Sequence, residues 1–261
     1  MTGEGFTIVV AVNDRETLRK NLYRSPGLWL NGRNQVLIRE GFSAASHAYN
    51  SGIDEAKNDT VIFVHQDIYL PDTWFPSLAQ SLQHLESRGI PWGVLGCFGS
   101  RSDASVGVGR VYTNGLGVHG KEIVLPERVE TLDEIVLIIR KSSGLRFDPN
   151  LPHFHWYGTD LCMIAREQGL ESYAFQGFCV HNTNQLLRLP KEFYEGYYYV
   201  KEKWKKWLPI HASCMKVSLF DEEIRRRRVR EFGELVLGRR RAAMVRVDDP
   251  RIFLNDNVDP I

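Results

Sequence analysis

Residues 61–67 read VIFVHQD, an apolar run that stops abruptly at His65-Gln66-Asp67 and passes into Ile68-Tyr69-Leu70-Pro71. A short continuous apolar run fits a strand buried on both faces, as in a parallel α/β sheet. Ligands of such sheets bind beyond the carboxyl ends of the strands. An acid and an imidazole at that edge suit a hard divalent metal, and a metal in turn holds a diphosphate. The plainer alternative is that Asp67 caps the helix that follows.

Upstream of this run, residues 7–12 (TIVVAV) form a second β-branched stretch that ends in Asn13-Asp14. Residues 35–38 (QVLI) form a third, ending near Arg39-Glu40-Gly41. Ser43 is placed to cap a helix in which Ala45, Tyr49, Gly52, Ile53 and Ala56 share one face. Asp72 starts another, with Phe75, Leu78, Leu82 and Leu85 on its buried stripe and Gly89 closing it. Residues 93–98 (GVLGCF) and 135–139 (IVLII) read as further strands. Strands alternating with helices predict βαβ units and a mainly parallel sheet.

Between them, residues 99–120 are glycine-dense with Val106, Val108 and Val111 interleaved, the texture of a loop or hairpin. They match no phosphate-loop template: there is no GxxxxGK[ST], and no GxGxxG opening a helix. Asp148-Pro149-Asn150 is a turn signal, and residues 153–157 a loop edge with His153 and His155 as polar loop residues. Gly158-Thr159-Asp160 opens a helix closed by Gly169. Residues 173–180 read as a strand ending at His181-Asn182. The segment FYEGYYYVKEKWKKW (193–207) reads as a helix with its aromatics toward the core. Residues 222–246, with RRRR at 225–228 and RRR at 239–241, read as a basic tail helix, a solvated face or a contact for an anionic surface.

The bulk numbers exclude several classes. A formal net charge of +1 over 261 residues removes the electrostatic case for nucleic acid as the main partner. Cys97, Cys162, Cys179 and Cys214 lie far apart, so neither a zinc knuckle nor a dense disulfide scaffold is expected, and a reducing, cytoplasmic compartment is. No signal-like start and no apolar stretch of about 20 residues is present, so no transmembrane segment is expected. Peripheral membrane contact remains compatible with the basic tail.

The order of these features resembles the GT-A glycosyltransferase-like family of the family-2 type, over roughly residues 7–208. TIVVAVND resembles that family's first nucleotide-binding strand. SAASHAYNSGIDEAKNDTVIFVHQD (43–67) resembles its Asn-x-Gly-Ile-x-x-Ala helix leading into the strand with the metal-binding Asp-x-Asp. TLDEIVLIIRKSSGLRFDPNLPHFHWYGTDLCMIAREQG (131–169) is similar to the acceptor half, ending in an acid at a helix start. FCVHNTN (178–184) resembles the strand-end histidine that completes the metal site. The wording FVHQD is closest to the streptomycin-biosynthesis glycosyltransferase-like branch.

The resemblance implies a single GT-A (Rossmann-like) α/β domain: a mainly parallel mixed sheet flanked by helices, with a C-terminal helical extension. It divides the chain into a domain over 1–208, with a nucleotide-binding half to about 100 and an acceptor half beyond, and a basic extension over 209–261. It implies transfer of a sugar from a nucleotide-diphosphate donor to a hydroxyl acceptor, whether glycan, lipid-linked sugar or small molecule. Asn13, Asp14, Glu40 and Asp67 would contact the donor, while Asp67, His65 and His181 would hold Mn²⁺ or Mg²⁺. Imidazole ligands favour Mn²⁺ or a transition metal over Mg²⁺. Asp160, kept ionised by its helix dipole, would be the general base, and Trp156 and Tyr157 would stack on a sugar. The chain departs from Asp-x-Asp at His65, which supplies no negative charge, so a non-catalytic nucleotide- or glycan-binding module is the alternative. A glycosidase built on Asp148 and Asp160 is a third reading, against which the nucleotide-binding layout argues.

Overall fold

The computed structural model describes residues 5–29, 32–103, 107–236 and 243–258. Its first half carries β1 (Thr7–Val12), α1 (Arg15–Lys20), β2 (Gln35–Glu40), α2 (Ala45–Glu55), β3 (Thr60–Val64), β4 (Ile68–Tyr69), α3 (Trp74–Ser87), β5 (Trp92–Gly96) and β6 (Gly99–Ser100). There follow β7 (Val111–Thr113), β8 (Gly117–His119), β9 (Glu127–Val129), β10 (Thr131–Leu132), β11 (Val136–Arg140), α4 (Tyr157–Glu167), β12 (Glu171–Ala174) and β13 (Cys179–His181). The chain then forms α5 (Lys191–Lys203), β14 (Ile210–His211), β15 (Lys216–Val217) and α6 (Glu222–Val236).

The apolar run becomes β3, at the middle of a seven-stranded sheet ordered β2-β1-β3-β11-β5-β12-β9. β3 pairs parallel to β1 and antiparallel to β11, and every residue of it is buried. Five strands run one way; β11 and β9 oppose them. Successive side chains on a strand leave opposite faces, so a continuous apolar run feeds two cores at once. Val9, Val61 and Phe63 join α2, α4 and α5 in one core. Ile8, Val10, Ile62 and Val64 join Trp74, Leu78, Leu82 and Leu85 of α3 in the other. Each such side chain contributes about 1.5–3 kcal/mol by leaving water. This three-layer packing fixes the height of β3, and so the place where its carboxyl end meets solvent.

The Asn50-x-Gly52 run has a local reason as well. A Cβ at Gly52 would run into the Val9 side chain, so glycine lets α2 sit directly on β1. Asn50 holds the 147 loop in both directions, donating to the Phe147 carbonyl at 2.8 Å and accepting from its amide at 3.0 Å.

Several expectations change in detail. Ser43 does not cap α2: the cap position is Ala44, with no side-chain bond, and the Ala45 amide donates instead to the His153 carbonyl at 2.9 Å. The 173–180 strand is two strands, because the chain turns between them, with the Gly177 amide donating to Phe175 O. β12 stays in the main sheet, while β13 enters a second sheet ordered β4-β13-β7-β8. The glycine-dense stretch supplies that sheet with the β7–β8 hairpin, whose connection uses Gly115 at φ +84°; Val106 lies outside the described residues. Among the described residues the tail helix runs from Glu222 to Val236, and residues 239–241 lie outside them. Residues 243–248 form no helix, and lie along the second sheet. The 209–261 segment is built in: Ile210, Val217 and Ile224 belong to the core that holds α4 and α5.

Candidate metal and diphosphate site

β3 ends at Val64, and His65, Gln66 and Asp67 form the link to β4. The His65 amide donates to the Ile135 carbonyl at 3.1 Å, so the link leaves the sheet beside the start of β11. β13 pairs antiparallel to β4 with His181 opposite Ile68, and the Asn182 amide donates to the Asp67 carbonyl at 3.0 Å. That ladder brings His181 to the acid. His65, Asp67 and His181 each offer a ligand atom, and these atoms lie within 4.8 Å of one another. His181 Nε2 is 3.5 Å from Asp67 Oδ1, and the two imidazoles meet edge-on with centroids 5.7 Å apart.

The electrostatics of the trio follow from shared burial. Burial opposes ionisation of Asp67, but His181, His65 and Arg246 outweigh it and hold the carboxyl below its ordinary range. Burial, with His181 adding repulsion, pushes His65 down to about 4, so that it is neutral. Burial also works against charging His181, but Asp67 reverses the balance and raises it.

His65 Nε2 is 2.6 Å from the Tyr157 hydroxyl, which itself donates to the Glu134 carbonyl at 3.0 Å. Where the phenol gives its one proton to that carbonyl, Nε2 of His65 carries the hydrogen and donates to Tyr157. That assignment leaves the Nδ1 lone pair of His65 available to a metal, the usual outer-sphere arrangement of a ligating histidine. An ion bound at about 2.1 Å separates opposite ligands by about 4.2 Å. Small inward rotations of the three side chains therefore close them around one ion, and two imidazoles with one carboxylate suit Mn²⁺ better than Mg²⁺.

A fourth group meets Asp67 from a distant part of the chain. Arg246 donates through Nη2 to Asp67 Oδ2 at 2.9 Å, through Nη1 to Thr17 Oγ1 at 2.8 Å and through Nε to the Asn182 carbonyl at 2.8 Å. Its backbone is pinned in turn. Asn184 Oδ1 accepts from the Arg246 amide at 2.8 Å, Asn182 brackets Val247 through both amide atoms, and Asn114 donates to Val245 O at 2.8 Å. The residues 243–248 thus form a strap along the site. Sequence reading missed Arg246 because a lone arginine in AAMVRVDDP carries no local pattern.

At the ends of β1 and β2 the expected donor contacts are assembled by Gln66. Its Oε1 accepts from the Asn13 and Asp14 amides at 3.1 Å each, and its Nε2 donates to Asn13 Oδ1 at 2.5 Å. Asp14 caps α1, accepting from the Glu16 and Thr17 amides and from Thr17 Oγ1 at 2.5 Å. Glu40 holds Arg15 through two bonds of 2.8 and 2.6 Å on the exposed edge. Asn13, Asp14 and Glu40 therefore share one rim with Gln66, which the sequence reading had passed over.

Asp160 is placed differently from the expectation. It is 1 % exposed, its Oδ1 accepts from the Trp204 indole at 2.6 Å, and Lys203 Nζ donates to its Oδ2 at 2.9 Å. It points at α5, with both oxygens occupied and no polar partner in common with the His65–Asp67–His181 trio. It joins α4 to α5 and is not free to take a proton from a substrate. Trp156 and Tyr157 are each 2 % exposed, so neither offers a face to a sugar; Trp156 packs on Phe193 and Tyr197, and its indole donates to Phe193 O. His153 pairs with Glu195 at 2.6 Å, away from the trio.

A second carboxylate, Glu134, meets the start of α4. It stands just before β11, beside the end of β3, and the Gly158 amide at the start of α4 lies 3.4 Å from its Oε1. Burial first, and neighbouring Asp133 second, raise its carboxyl well above the ordinary value. Asp133 accepts from Ser213 Oγ at 2.6 Å. A cavity of about 260 Å³ opens next to that serine, lined by Phe98, Arg101, His211, Ser213, Cys214 and Met215. A second, of about 430 Å³, opens beside His181 between Asn114, Asn184, Arg227 and Arg230.

With this geometry in hand, comparison with known proteins places the architecture. The chain superposes on GalNAc-T7 crystallised with UDP, GalNAc and Mn²⁺ with a TM-score of 0.51, at 13 % identity, over 77 % of this chain and 48 % of that one. The fold is GT-A. The chain spans about half the length of that protein, and at this identity the likeness speaks for the fold alone. The mannosyltransferase PcManGT from Pyrobaculum calidifontis, in complex with GDP-Man and Mn²⁺, matches more loosely, with a TM-score of 0.43 and 11 % identity over 67 % of this chain and 56 % of its own. By sequence, a Fuscovulum blasticum protein described as ATP synthase subunits region ORF 6 is 28 % identical over 174 residues, 64 % of this chain and 69 % of that protein. No protein-family model matches the sequence.

Proposed function

We propose that this protein transfers a sugar from a nucleotide-diphosphate donor to a hydroxyl acceptor, by direct displacement with inversion. The observation that carries this reading is the convergence of His65, Asp67 and His181 at the carboxyl edge of β3 in a GT-A sheet. A Mn²⁺ ion bound there would stabilise the charge that grows on the departing diphosphate. His65, Asp67 and His181 would hold it, and Arg246 adds a fixed guanidinium beside it. The rim of Asn13, Asp14, Gln66 and Glu40 lies where the nucleoside of the donor would rest. GalNAc-T7 shares this fold and was crystallised with UDP and Mn²⁺, which supports a pocket of this kind. Within the class, the wording FVHQD keeps the chain nearest the streptomycin-biosynthesis glycosyltransferase-like branch.

Glu134 is the proposed general base, in place of Asp160. A carboxylate held by burial above its ordinary pKa has a higher proton affinity, which suits it to take the hydroxyl proton as the acceptor oxygen attacks the anomeric carbon. The acceptor would enter by the cavity lined by Ser213 and Cys214. A panel of UDP-, GDP- and TDP-sugars, assayed for transfer and by calorimetry with and without Mn²⁺, tests the scheme. Glu134→Gln is expected to lower kcat by about 10²- to 10⁴-fold with donor binding intact. Asp67→Asn is expected to abolish the Mn²⁺-dependent part of donor binding. Donor binding without turnover across the panel would sink the transferase reading in favour of a binding module.

A further inference from the structure

The helix α6 is built inside out. Among its described side chains only Ile224 is fully buried, yet Val229, Phe232 and Val236 are 73 %, 67 % and 67 % exposed. Spacings of three and four residues set these three along one line of the helix. Arg225 continues that line toward the helix start, and Arg226, Arg228 and Arg230 stand to its sides, all four exposed. Of the acids of α6, Glu223, Glu231 and Glu234 lie off that line, and Glu222, at its N-terminal end, is paired with Ser218. Glu222 bonds to Ser218, Glu223 accepts from the Lys216 amide at 2.7 Å, and Glu231 accepts from Arg227, the Leu189 amide and the Tyr194 hydroxyl. Glu234 is half-buried on the wall of the His181 cavity. The solvent face of α6 therefore consists of guanidinium and hydrocarbon, with no exposed carboxylate among its described residues. Just before the helix, Leu219 and Phe220 are 54 % and 74 % exposed.

We propose that this face of α6 seats the protein on an anionic lipid bilayer surface. Three observations select that partner. Apolar residues in a stripe between arginines match a layer whose headgroups are anionic and whose acyl chains lie just beneath. The stripe is convex, and Val229, Phe232 and Val236 line neither cavity described above, so it has no socket for a partner's side chains. A second copy of the same face, docked about a two-fold axis, would set arginines against arginines. The contact is peripheral: among the described residues no helix is long and apolar enough to cross a membrane. Arg227 and Arg230 also line the cavity beside His181, so the seated helix would hold that cavity close to the lipid surface. The docking rests on α6 alone and stands whether or not the transferase reading does.

Co-sedimentation of the full chain with vesicles tests it. The protein is expected to bind phosphatidylcholine vesicles containing phosphatidylglycerol, to bind pure phosphatidylcholine weakly, and to be released as salt screens the arginines. Val229→Ser with Phe232→Ser, and separately Arg225→Ser with Arg226→Ser, are each expected to weaken binding roughly tenfold. All four positions are exposed, so the thermal unfolding midpoint should stay near that of the unaltered chain. Wild-type protein left in the supernatant with the anionic vesicles would overturn the proposal. Binding by both double variants as tight as that of the unaltered chain would do the same. So would sedimentation velocity showing a dimer that Phe232→Ser dissolves, which would assign the face to a second copy.

Discussion

At His181 two demands meet, since the imidazole must lose its proton to take a metal, yet Asp67 favours the protonated form. Burial lowers the pKa of His181 and Asp67 raises it, and the acid prevails. Mn²⁺ affinity is therefore expected to climb with pH through the ordinary histidine value of about 6.5 and above it. His65, held down to about 4, is already neutral there and adds nothing to the slope. Folding of the metal-free protein should show the opposite sign for the two rings. The raised pKa of His181 gives stability fully present below about 6.5 and lost as pH rises through its folded value. The lowered pKa of His65 gives stability present above about 6.5 and lost as pH falls toward 4. Calorimetric titration of Mn²⁺ between about pH 6 and 8 checks the first statement. Affinity that is flat over that window would mean that His181 is not a ligand.

The helix α4 shows how far an element can be read from its letters. Its span and buried stripe are legible, because apolar periodicity is a local property of the chain. Which way Asp160 points is not, because that depends on α5, whose residues arrive more than forty positions later. The acid at the helix start looked like a base. Lys203 and Trp204 turn it into a buried joint. Asp160→Asn is accordingly expected to cost about 2–3 kcal/mol of stability, since Lys203 keeps Asp148 at 2.6 Å as a second partner, and to leave transfer activity near that of the unaltered chain. Thermal unfolding alongside the transfer assay separates the outcomes; a normal midpoint with activity lost would restore Asp160 as the base. β3 was the opposite case. Its apolar run and its abrupt end are local signals, and both appear in the sheet. His181 was legible as a strand-end histidine, although its strand belongs to the second sheet.

On the scale of the whole molecule, the candidate site is closed by chain that sequence patterning set apart. The strap of residues 243–248 lies across β13, and its middle is gripped by polar side chains at the edge of the site: Asn114, Asn182, Asn184, and Thr17 beneath Arg246. Under the proposed function Arg246 would act in two senses. With no donor bound it competes with any metal for Asp67, because both seek the same carboxylate. With a diphosphate bound it has a second anion to face, and guanidinium is well suited to phosphate oxygens. Arg246→Ala should therefore tighten Mn²⁺ alone while weakening the Mn²⁺–nucleoside diphosphate complex roughly tenfold, the equivalent of about 1.4 kcal/mol. Calorimetry with the ion alone and then with UDP or GDP reads both numbers on one protein. A variant in which both affinities fall together would show Arg246 to be only a brace for the strap. Opposite shifts would place the C-terminal segment among the groups that bind the donor.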